Sequence, residues 1–231
     1  MDWDAIAAYI PTDHARQVTS RYYIDLLMRG SPPPRTVLDL GCGVGGSLRE
    51  FRTYNAATRW VGLDISDSME AEARPSLDAP VVMFDGVRIP FADASVDFIY
   101  SHQVFEHVRY PHLLLDEIAR VLMPRGWFAG STSQLEPYHS RSFWNYTVPG
   151  FCTLVNDAGM DIVELRPGID GLTLTERAFN GNPPDSSRWF SKESPLNQKV
   201  DKWASRTGRG VSAVNNRKLR FCGHFAFLAR R

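Results

Sequence analysis

Thr36-Val37-Leu38-Asp39-Leu40-Gly41-Cys42-Gly43-Val44-Gly45-Gly46 runs a short apolar strand straight into a glycine-rich turn. Val37, Leu38 and Leu40 are strand formers. Four glycines in six positions let the backbone turn sharply and approach a ligand with no Cβ in the way. Ser47-Leu48-Arg49-Glu50-Phe51 then opens a helix whose first amides point back at the turn, an arrangement that holds nucleotide-like ligands. Gly41-x-Gly43-x-x-Gly46 matches the dinucleotide fingerprint, and Asp64 lies 23 positions after Gly41, near the place of that fingerprint's acid. The turn alone therefore leaves a nicotinamide-dependent oxidoreductase open. Asp39 leans the other way: a carboxylate two residues before the first glycine would repel a pyrophosphate and suits a ligand carrying an ammonium group.

Working outward, further strands also end in acids. Arg59 to Ser66 predicts a second strand ending in Asp64, where two carboxylate oxygens can accept from both hydroxyls of a ribose. Ser66 or Asp67 is expected to cap a helix over 68–73. Pro80 to Gly86 reads as a third strand ending in Asp85. A turn from Ile89 leads to a fourth strand through Ser101, a helix over 112–122 with its apolar face at Leu114, Leu115, Ile118, Val121 and Leu122, and a fifth strand over 126–133. A helix over 149–158, a sixth strand over 160–166 and a final, antiparallel strand over 221–229 follow. Five strand–helix repeats predict an α/β fold: a doubly wound, mostly parallel seven-stranded sheet with helices on both faces. Ligands in such sheets bind beyond the carboxyl ends of the strands, and Asp39, Asp64, Asp85, Ser101 and His102 all fall on that edge. One domain is expected over 1–231. It comprises an N-terminal helical cap at 1–30, whose helix starts at Thr12 or Asp13 and stops before Pro32-Pro33-Pro34, a cofactor-binding core at 35–166, an insertion at 167–220 and the last strand.

Several segments together resemble the class I S-adenosylmethionine-dependent methyltransferases of small-molecule type. They are Val37-Leu38-Asp39-Leu40-Gly41-Cys42-Gly43-x-Gly45, Ile89-Pro90-Phe91 through Ser95-Val96-Asp97, Val104-Phe105-Glu106-His107, and Arg120-Val121-Leu122-x-Pro124-x-Gly126. Met123 and Arg125 depart from the family's Lys and first Gly in the last segment, a structural loop. The resemblance implies a Rossmann-like fold, S-adenosyl-L-methionine as cofactor and methyltransferase activity. It implies that Asp39, Gly41 and Gly43 face the methionine part, Asp64 the ribose, and Asp85, Gly86 and Val87 the adenine. Cys42, Ile65, Met69, Ser101 and His102 complete the cofactor's surroundings.

A sulfonium methyl is already activated, so orientation of the acceptor supplies much of the rate. An aliphatic hydroxyl acceptor also needs a base, and histidine is suited to that role near neutral pH. His102 and His107 flank the cofactor edge and His139 lies in an aromatic loop after the fifth strand, so these three are the catalytic candidates. His112 reads as helix surface and His224 as part of a strand. Tyr138, Trp144 and Tyr146 offer flat apolar faces with Arg141 between them, and Tyr22 comes from the N-terminal flap. Such walls suit a sugar ring, so O-methylation of a sugar or sugar-bearing metabolite is expected; a phenol or quinone fits the same walls, and the aromatics would serve equally as core beneath the insertion. A non-catalytic cofactor-binding partner is the remaining alternative.

Lys and Arg (26) balance Asp and Glu (26) in the 231 residues, so no overall field draws in nucleic acid. Cys42, Cys152 and Cys222 are widely spaced, which suits free thiols in a reducing compartment. No His or carboxylate cluster has metal-ligand spacing, and no metal is expected. No apolar run reaches the roughly 20 residues of a membrane span, and the acidic start is unlike a signal peptide. A cytoplasmic chain is expected, with a small-molecule acceptor as its partner; a homodimer is compatible with this reading.

Overall fold

Strand β1 (Thr36–Leu40) buries side chains on both of its faces, as a strand at the centre of a parallel sheet must. The computed structural model, which describes residues 1–70 and 73–231, sets β1 between β2 (Arg59–Ile65) and β4 (Val96–His102). Beyond them lie β3 (Val81–Phe84) on one side and β5 (Leu122–Ser133), β7 (His224–Arg230) and β6 (Asp161–Pro167) on the other. The sheet order is β3-β2-β1-β4-β5-β7-β6. β1 through β5 pair in parallel, and β7 enters antiparallel between β5 and β6. The expected seven-stranded, mostly parallel sheet is therefore present. The antiparallel β7 separates it from the all-parallel doubly wound order of dinucleotide enzymes.

Strand alternation distributes the core. Val37, Trp60, Phe98 and Tyr100 meet α1 (Arg21–Met28) and α2 (Gly46–Tyr54) on one face. Leu38, Leu40, Leu63 and Ile99 meet α3 (Pro111–Val121) and α4 (Val148–Asp157) on the other. The i, i+3, i+4 apolar spacing of α3 buries Leu114, Leu115, Ile118 and Val121 together. Phe151 of α4 packs its ring against Phe105, Tyr146, Phe225 and Phe227. At Gly130 the chains of β4 and β5 come so close that a Cβ would drive into the Ser101 carbonyl.

Several expected elements differ. The N-terminal region is a short 3-10 turn at Ala5–Tyr9 and the helix α1, joined by an extended strap rather than one long helix. Asp13 does not cap a helix: its carboxylate takes both oxygens to Arg166 of β6, at 3.0 and 2.9 Å, and Val18 N–H donates to the Pro167 carbonyl at 3.0 Å. Residues 66–70 and 73 form turns, not the expected helix, whose positions 71 and 72 lie outside the described residues. Among the described residues the β2–β3 and β3–β4 connections carry no helix, while the other links do, so five uninterrupted strand–helix repeats do not occur. β5 begins at Leu122, paired with Val96 ahead of an irregularity.

The 167–220 stretch is helical: α5 (Gly171–Phe179), α6 (Pro195–Thr207) and α7 (Val211–Phe221). α7 runs through Phe221, so β7 starts at His224. Lys218, fully buried, binds the strap to this stretch through the Ala15 carbonyl (2.7 Å), Glu193 (2.9 Å) and Asp201 (2.8 Å). Among the described residues no helix is long and apolar enough to cross a membrane, and the three cysteines are free and buried.

Candidate active site

The tips of β1 and β2 carry the first half of the site. Gly41, Gly43 and Gly45 have φ of 66°, 50° and 77°, a left-handed path that a side chain would strain. The Gly41 and Cys42 amides donate to the Leu63 carbonyl at 2.7 and 3.2 Å, which locks the turn onto β2. Among the described residues nothing stands where a side chain on Gly46 would lie, at the backbone opening α2.

The strand register sets the acids. Asp39 pairs with Gly62 and Asp64 with Met83. Asp64 therefore stands two residues nearer the edge than Asp39, and Asp85 two residues beyond Met83. With a rise of about 3.3 Å per residue and about 4.8 Å between strands, each step spans about 8 Å, so the three acids form a diagonal, not a cluster.

Their environments differ. Asp39 is buried beneath the turn and accepts from Ser47 Oγ, which in turn accepts from Trp60 Nε1 at 2.9 Å. Burial pushes its pKa up to about 7, against the pull of the Ser47 bond. Asp64 accepts from Ile65 N–H (2.9 Å), Ser68 Oγ (3.1 Å) and the Arg74 guanidinium, and burial raises its pKa. Arg74 Nε also donates to the Gly43 carbonyl, so this one side chain bridges the turn and Asp64. Asp85 is exposed and accepts from the amides of Val87 (2.9 Å) and Arg88 (2.7 Å), bonds that lower its pKa.

The Asp39 shift has a consequence for stability. A carboxyl with a folded pKa near 7 and an unfolded value near 3.8 favours the fold below pH 3.8 and loses that advantage as pH rises through 7. Asp39→Asn is expected to leave stability nearly unchanged at pH 4 and to raise it by up to about 4 kcal/mol at pH 8. Denaturant melts at the two pH values measure this.

The other cofactor-side residues fall around the same edge. Ile65 and Gly86 are neighbours, with Ile65 Cγ2 3.5 Å from the place of a Cβ on Gly86, where φ is 82°. Val87 is half-buried and Met69 exposed. The Cys42 thiol is buried, its pKa pushed up to about 12 by burial and then by Asp39 and Asp64, so it is inert. Ser101 is buried at the tip of β4, and its hydroxyl has no hydrogen-bond partner among the described residues.

The second half of the site lies at the tips of β4 and β5. Leu40 pairs with Ser101, so Gly41 sits beside His102, and a Cβ on Gly41 would collide with Val104. His102 Nδ1 lies 2.9 Å from both Ser20 Oγ and Ser131 Oγ. Ser131 Oγ accepts from Gln103 Nε2 at 2.9 Å. Its own proton is available to His102 Nδ1, and in the tautomer that accepts it the ring hydrogen sits on Nε2 at the open edge. The enclosing protein lowers the pKa of His102. Glu106 is fully buried, accepts from Thr132 Oγ1 (2.9 Å) and Ser133 Oγ (3.3 Å), and is pushed by burial to about 7.

The amides of Phe143 and Trp144 donate to the Glu106 carbonyl at 2.7 and 3.1 Å. This pins the 136–146 loop over β4 and brings His139 edge-to-face with His107, ring centroids 5.2 Å apart. His139 Nδ1 lies 3.1 Å from the Pro137 carbonyl. A carbonyl only accepts, so Nδ1 carries the hydrogen and Nε2 presents its lone pair, 3.7 Å from Glu136. Glu136 also accepts from His224 Nε2 at 2.8 Å and from Ser133 Oγ, whose single proton it shares with Glu106. Burial works to raise its pKa, and those partners outweigh it and lower the value. Burial, then His139, lowers the pKa of His107.

Of the residues expected at the acceptor, the fold brings His102, His107 and His139 to one edge. Tyr138 and Arg141 are exposed, and Trp144, 46% exposed, anchors its indole N–H on the Val108 carbonyl at 2.8 Å. Tyr146 differs: it is buried in the core with its hydroxyl on the Phe105 carbonyl at 3.0 Å, so it does not line the cleft. Tyr22 is half-buried beneath the Arg166 guanidinium, 4.4 Å from its ring centre, and is packed rather than free to act as a flap. His224 is more than part of a strand, since it reaches Glu136. Arg74, Gln103, Glu106, Ser131, Ser133 and Glu136 were not nominated from the sequence. Glu106 stood beside His107 in a recognised segment; the others carried no local signal. Glu106, His107 and His139 place one ligand atom each within 4.8 Å of one another. That is a grouping of metal-binding residue types which linear spacing did not reveal.

The methyltransferase-domain family model matches residues 38–130. An uncharacterised methyltransferase of Mycobacterium sp. (strain KMS) is 38% identical over 176 residues, 69% of either chain. A malonyl-[acyl-carrier protein] O-methyltransferase of Methylococcus capsulatus is 34% identical over 105 residues, 44% of this chain and 38% of that protein, so the chain spans about two fifths of that relative's length. Among solved structures, a 1,6-didemethyltoxoflavin-N1-methyltransferase of Burkholderia thailandensis superposes with a TM-score of 0.57 over 99% of this chain and 85% of that one. At 16% identity it speaks for the fold alone. The open glycine turn with a carboxylate at the next strand tip fits S-adenosylmethionine, on condition that Arg74 releases Asp64. With this sheet order, this turn and a relative matched over two thirds of its length, the chain belongs to the class I S-adenosylmethionine-dependent methyltransferases.

Proposed function

We propose that this protein methylates a hydroxyl group of a small molecule, a sugar or a metabolite bearing one. S-adenosylmethionine, when bound, supplies a methyl group on a positively charged sulfur, so the protein's own task is to place the acceptor oxygen and remove its proton. The Gly41–Gly45 turn and Asp64 would hold the cofactor, with Asp85, Ile65 and Gly86 toward its base. The observation that carries the reading is the adjacency of two unlike edges. The glycine turn abuts the start of a polar group made by His102, Gln103, Glu106, His107, Glu136, His139 and His224. His102 Nε2–H is placed to donate to an acceptor oxygen, and the His139 Nε2 lone pair to take its proton. The exposed faces of Tyr138 and Trp144 at the same loop suit the C–H face of a sugar ring.

The relatives act, by their names, on oxygen, nitrogen and carbon, so the acceptor class rests on this cleft. Incubation with S-adenosylmethionine and a panel of glycosides, phenols, quinones and amines tests it. The expected result is release of S-adenosylhomocysteine and a single added methyl on the glycoside hydroxyls. Methylation confined to phenols or amines would replace the sugar assignment, and cofactor binding without turnover on any acceptor would remove the enzymatic one.

A further inference from the structure

We propose that Glu106, His107 and His139 form a binding site for one divalent first-row transition-metal ion on the acceptor side of the cleft. Each residue places one ligand atom within 4.8 Å of those of the other two, and each has an acceptor open to a cation. The Glu106 carboxylate is fully buried; among the described residues its donors are the Thr132 hydroxyl, its own backbone N–H and a share of the Ser133 hydroxyl, and it makes no ion pair. His107 Nδ1 is buried and has no hydrogen-bond partner in the described structure, an uncompensated cost for a nitrogen that could otherwise bond to water. His139 Nε2 offers a lone pair because Nδ1–H is engaged by the Pro137 carbonyl. Engagement of the far ring nitrogen by a backbone carbonyl is how metal-bound histidines are oriented and made more basic.

Two imidazoles and a carboxylate suit ions from manganese to zinc better than magnesium or calcium, which prefer oxygen. Ligands about 2.1 Å from an ion stand about 3.0–3.4 Å from each other, so the group needs to close by about 1.8 Å at most. His139 is on the loop that turns through left-handed Ser140 and Arg141, and a small shift there brings it in. Glu136, 3.7 Å from His139 Nε2, adds negative charge beside the ion. Three protein ligands leave coordination positions open. For the reaction proposed above, an ion there would take up the His139 Nε2 lone pair, so in the metal-bound protein His139 would be a ligand and not the base; the ion would instead make an acceptor hydroxyl's proton easier to remove, with the Glu136 carboxylate beside it to accept that proton. That consequence rests on the methyl-transfer reading; metal binding itself does not.

The test uses the full chain, free of any affinity tag and stripped with chelator, titrated with Co²⁺ by visible absorption and calorimetry. One ion per chain is expected, with a visible d–d band and a Kd of about 10 µM or below. His139→Ala and Glu106→Gln should each weaken it at least about tenfold. Millimolar Mg²⁺ should not displace the cobalt. Glu106 is buried, so circular dichroism checks each variant, and His139→Ala on the loop carries the test if Glu106→Gln fails to fold. No d–d band and no heat at about 100 µM Co²⁺, or binding that persists unchanged in His139→Ala, overturns the site. Titration of the same sample with S-adenosylhomocysteine separates the two readings. Heat from the nucleoside without a cobalt signal sinks only the metal site, and cobalt binding without nucleoside binding sinks only the methyltransferase reading.

Discussion

Asp64→Asn is expected to weaken S-adenosylhomocysteine binding by about 100-fold, and Arg74→Ala to strengthen it by about tenfold. Both follow from one contest. Asp64 is a buried carboxylate at the tip of β2 whose outer oxygen is taken by Arg74, while a ribose would need both carboxylate oxygens for its two hydroxyls. Charge-assisted hydrogen bonds of this kind contribute about 1.5–3 kcal/mol each. Asparagine keeps one acceptor and turns an amide toward the second hydroxyl, so most of one bond and the charge on the other are lost. Arg74 draws on the same carboxylate and, through Nε, on the Gly43 carbonyl. Its release is a cost that binding has to meet, and alanine removes that cost. Calorimetric titration of the three proteins decides the matter. Unchanged affinity in Asp64→Asn would make the carboxylate a partner of Arg74 alone, and lost affinity in Arg74→Ala would make the guanidinium a ligand rather than a competitor.

His139→Ala is expected to lower turnover by about 10²–10⁴-fold, the range set by loss of a positioned proton acceptor, with S-adenosylhomocysteine affinity unchanged. The separation of effects comes from the architecture. The loop is held by backbone bonds from Phe143 and Trp144 to Glu106 and by the Tyr146 amide on the Ser133 carbonyl at 2.8 Å. Removing the imidazole therefore leaves the loop in place, and the glycine turn is formed by β1 and β2, not by this loop. His102→Ala should instead act mainly through KM, because in the tautomer whose Nδ1 accepts from Ser131 the outward nitrogen can only donate. Initial rates on the best acceptor, with nucleoside affinity measured in parallel, test both. Near wild-type turnover in His139→Ala would remove it from the chemistry.

Much of this protein is written in short stretches of its chain. The strand-turn-helix at 36–51, the acids that follow β2 and β3, and the apolar face of α3 are local patterns whose period or composition is imposed by backbone geometry. They therefore led directly to the parallel sheet, its edge and the glycine turn. Asp39, Asp64 and Asp85 could be placed at strand tips from sequence because a strand's end is a local property. What each carboxylate does there could not. Asp39 is sealed under the turn by Ser47 and Asp64 is held by Arg74, while Asp85 closes its own turn.

Other features depended on partners far along the chain. The strap at 11–19 is extended because Arg166 and Lys218, over 150 and 200 residues away, bind it more strongly than a helix cap could. Tyr146 looked like a pocket wall and became core because Phe151 and the Phe105 carbonyl enclose it. The chemistry of the acceptor side was the least legible. Glu106, Glu136, His139 and His224 come together only when β5 delivers its loop over β4 and β7 inserts antiparallel beside it. The sequence by itself determined the sheet, its order of acids and the glycine turn at its edge, since these follow from short-range periodicity and turn geometry. Only the tertiary structure decided which carboxylates are free, which nitrogens carry hydrogens and which groups share charge, because burial and through-space contact set those properties and neither is encoded by spacing along the chain.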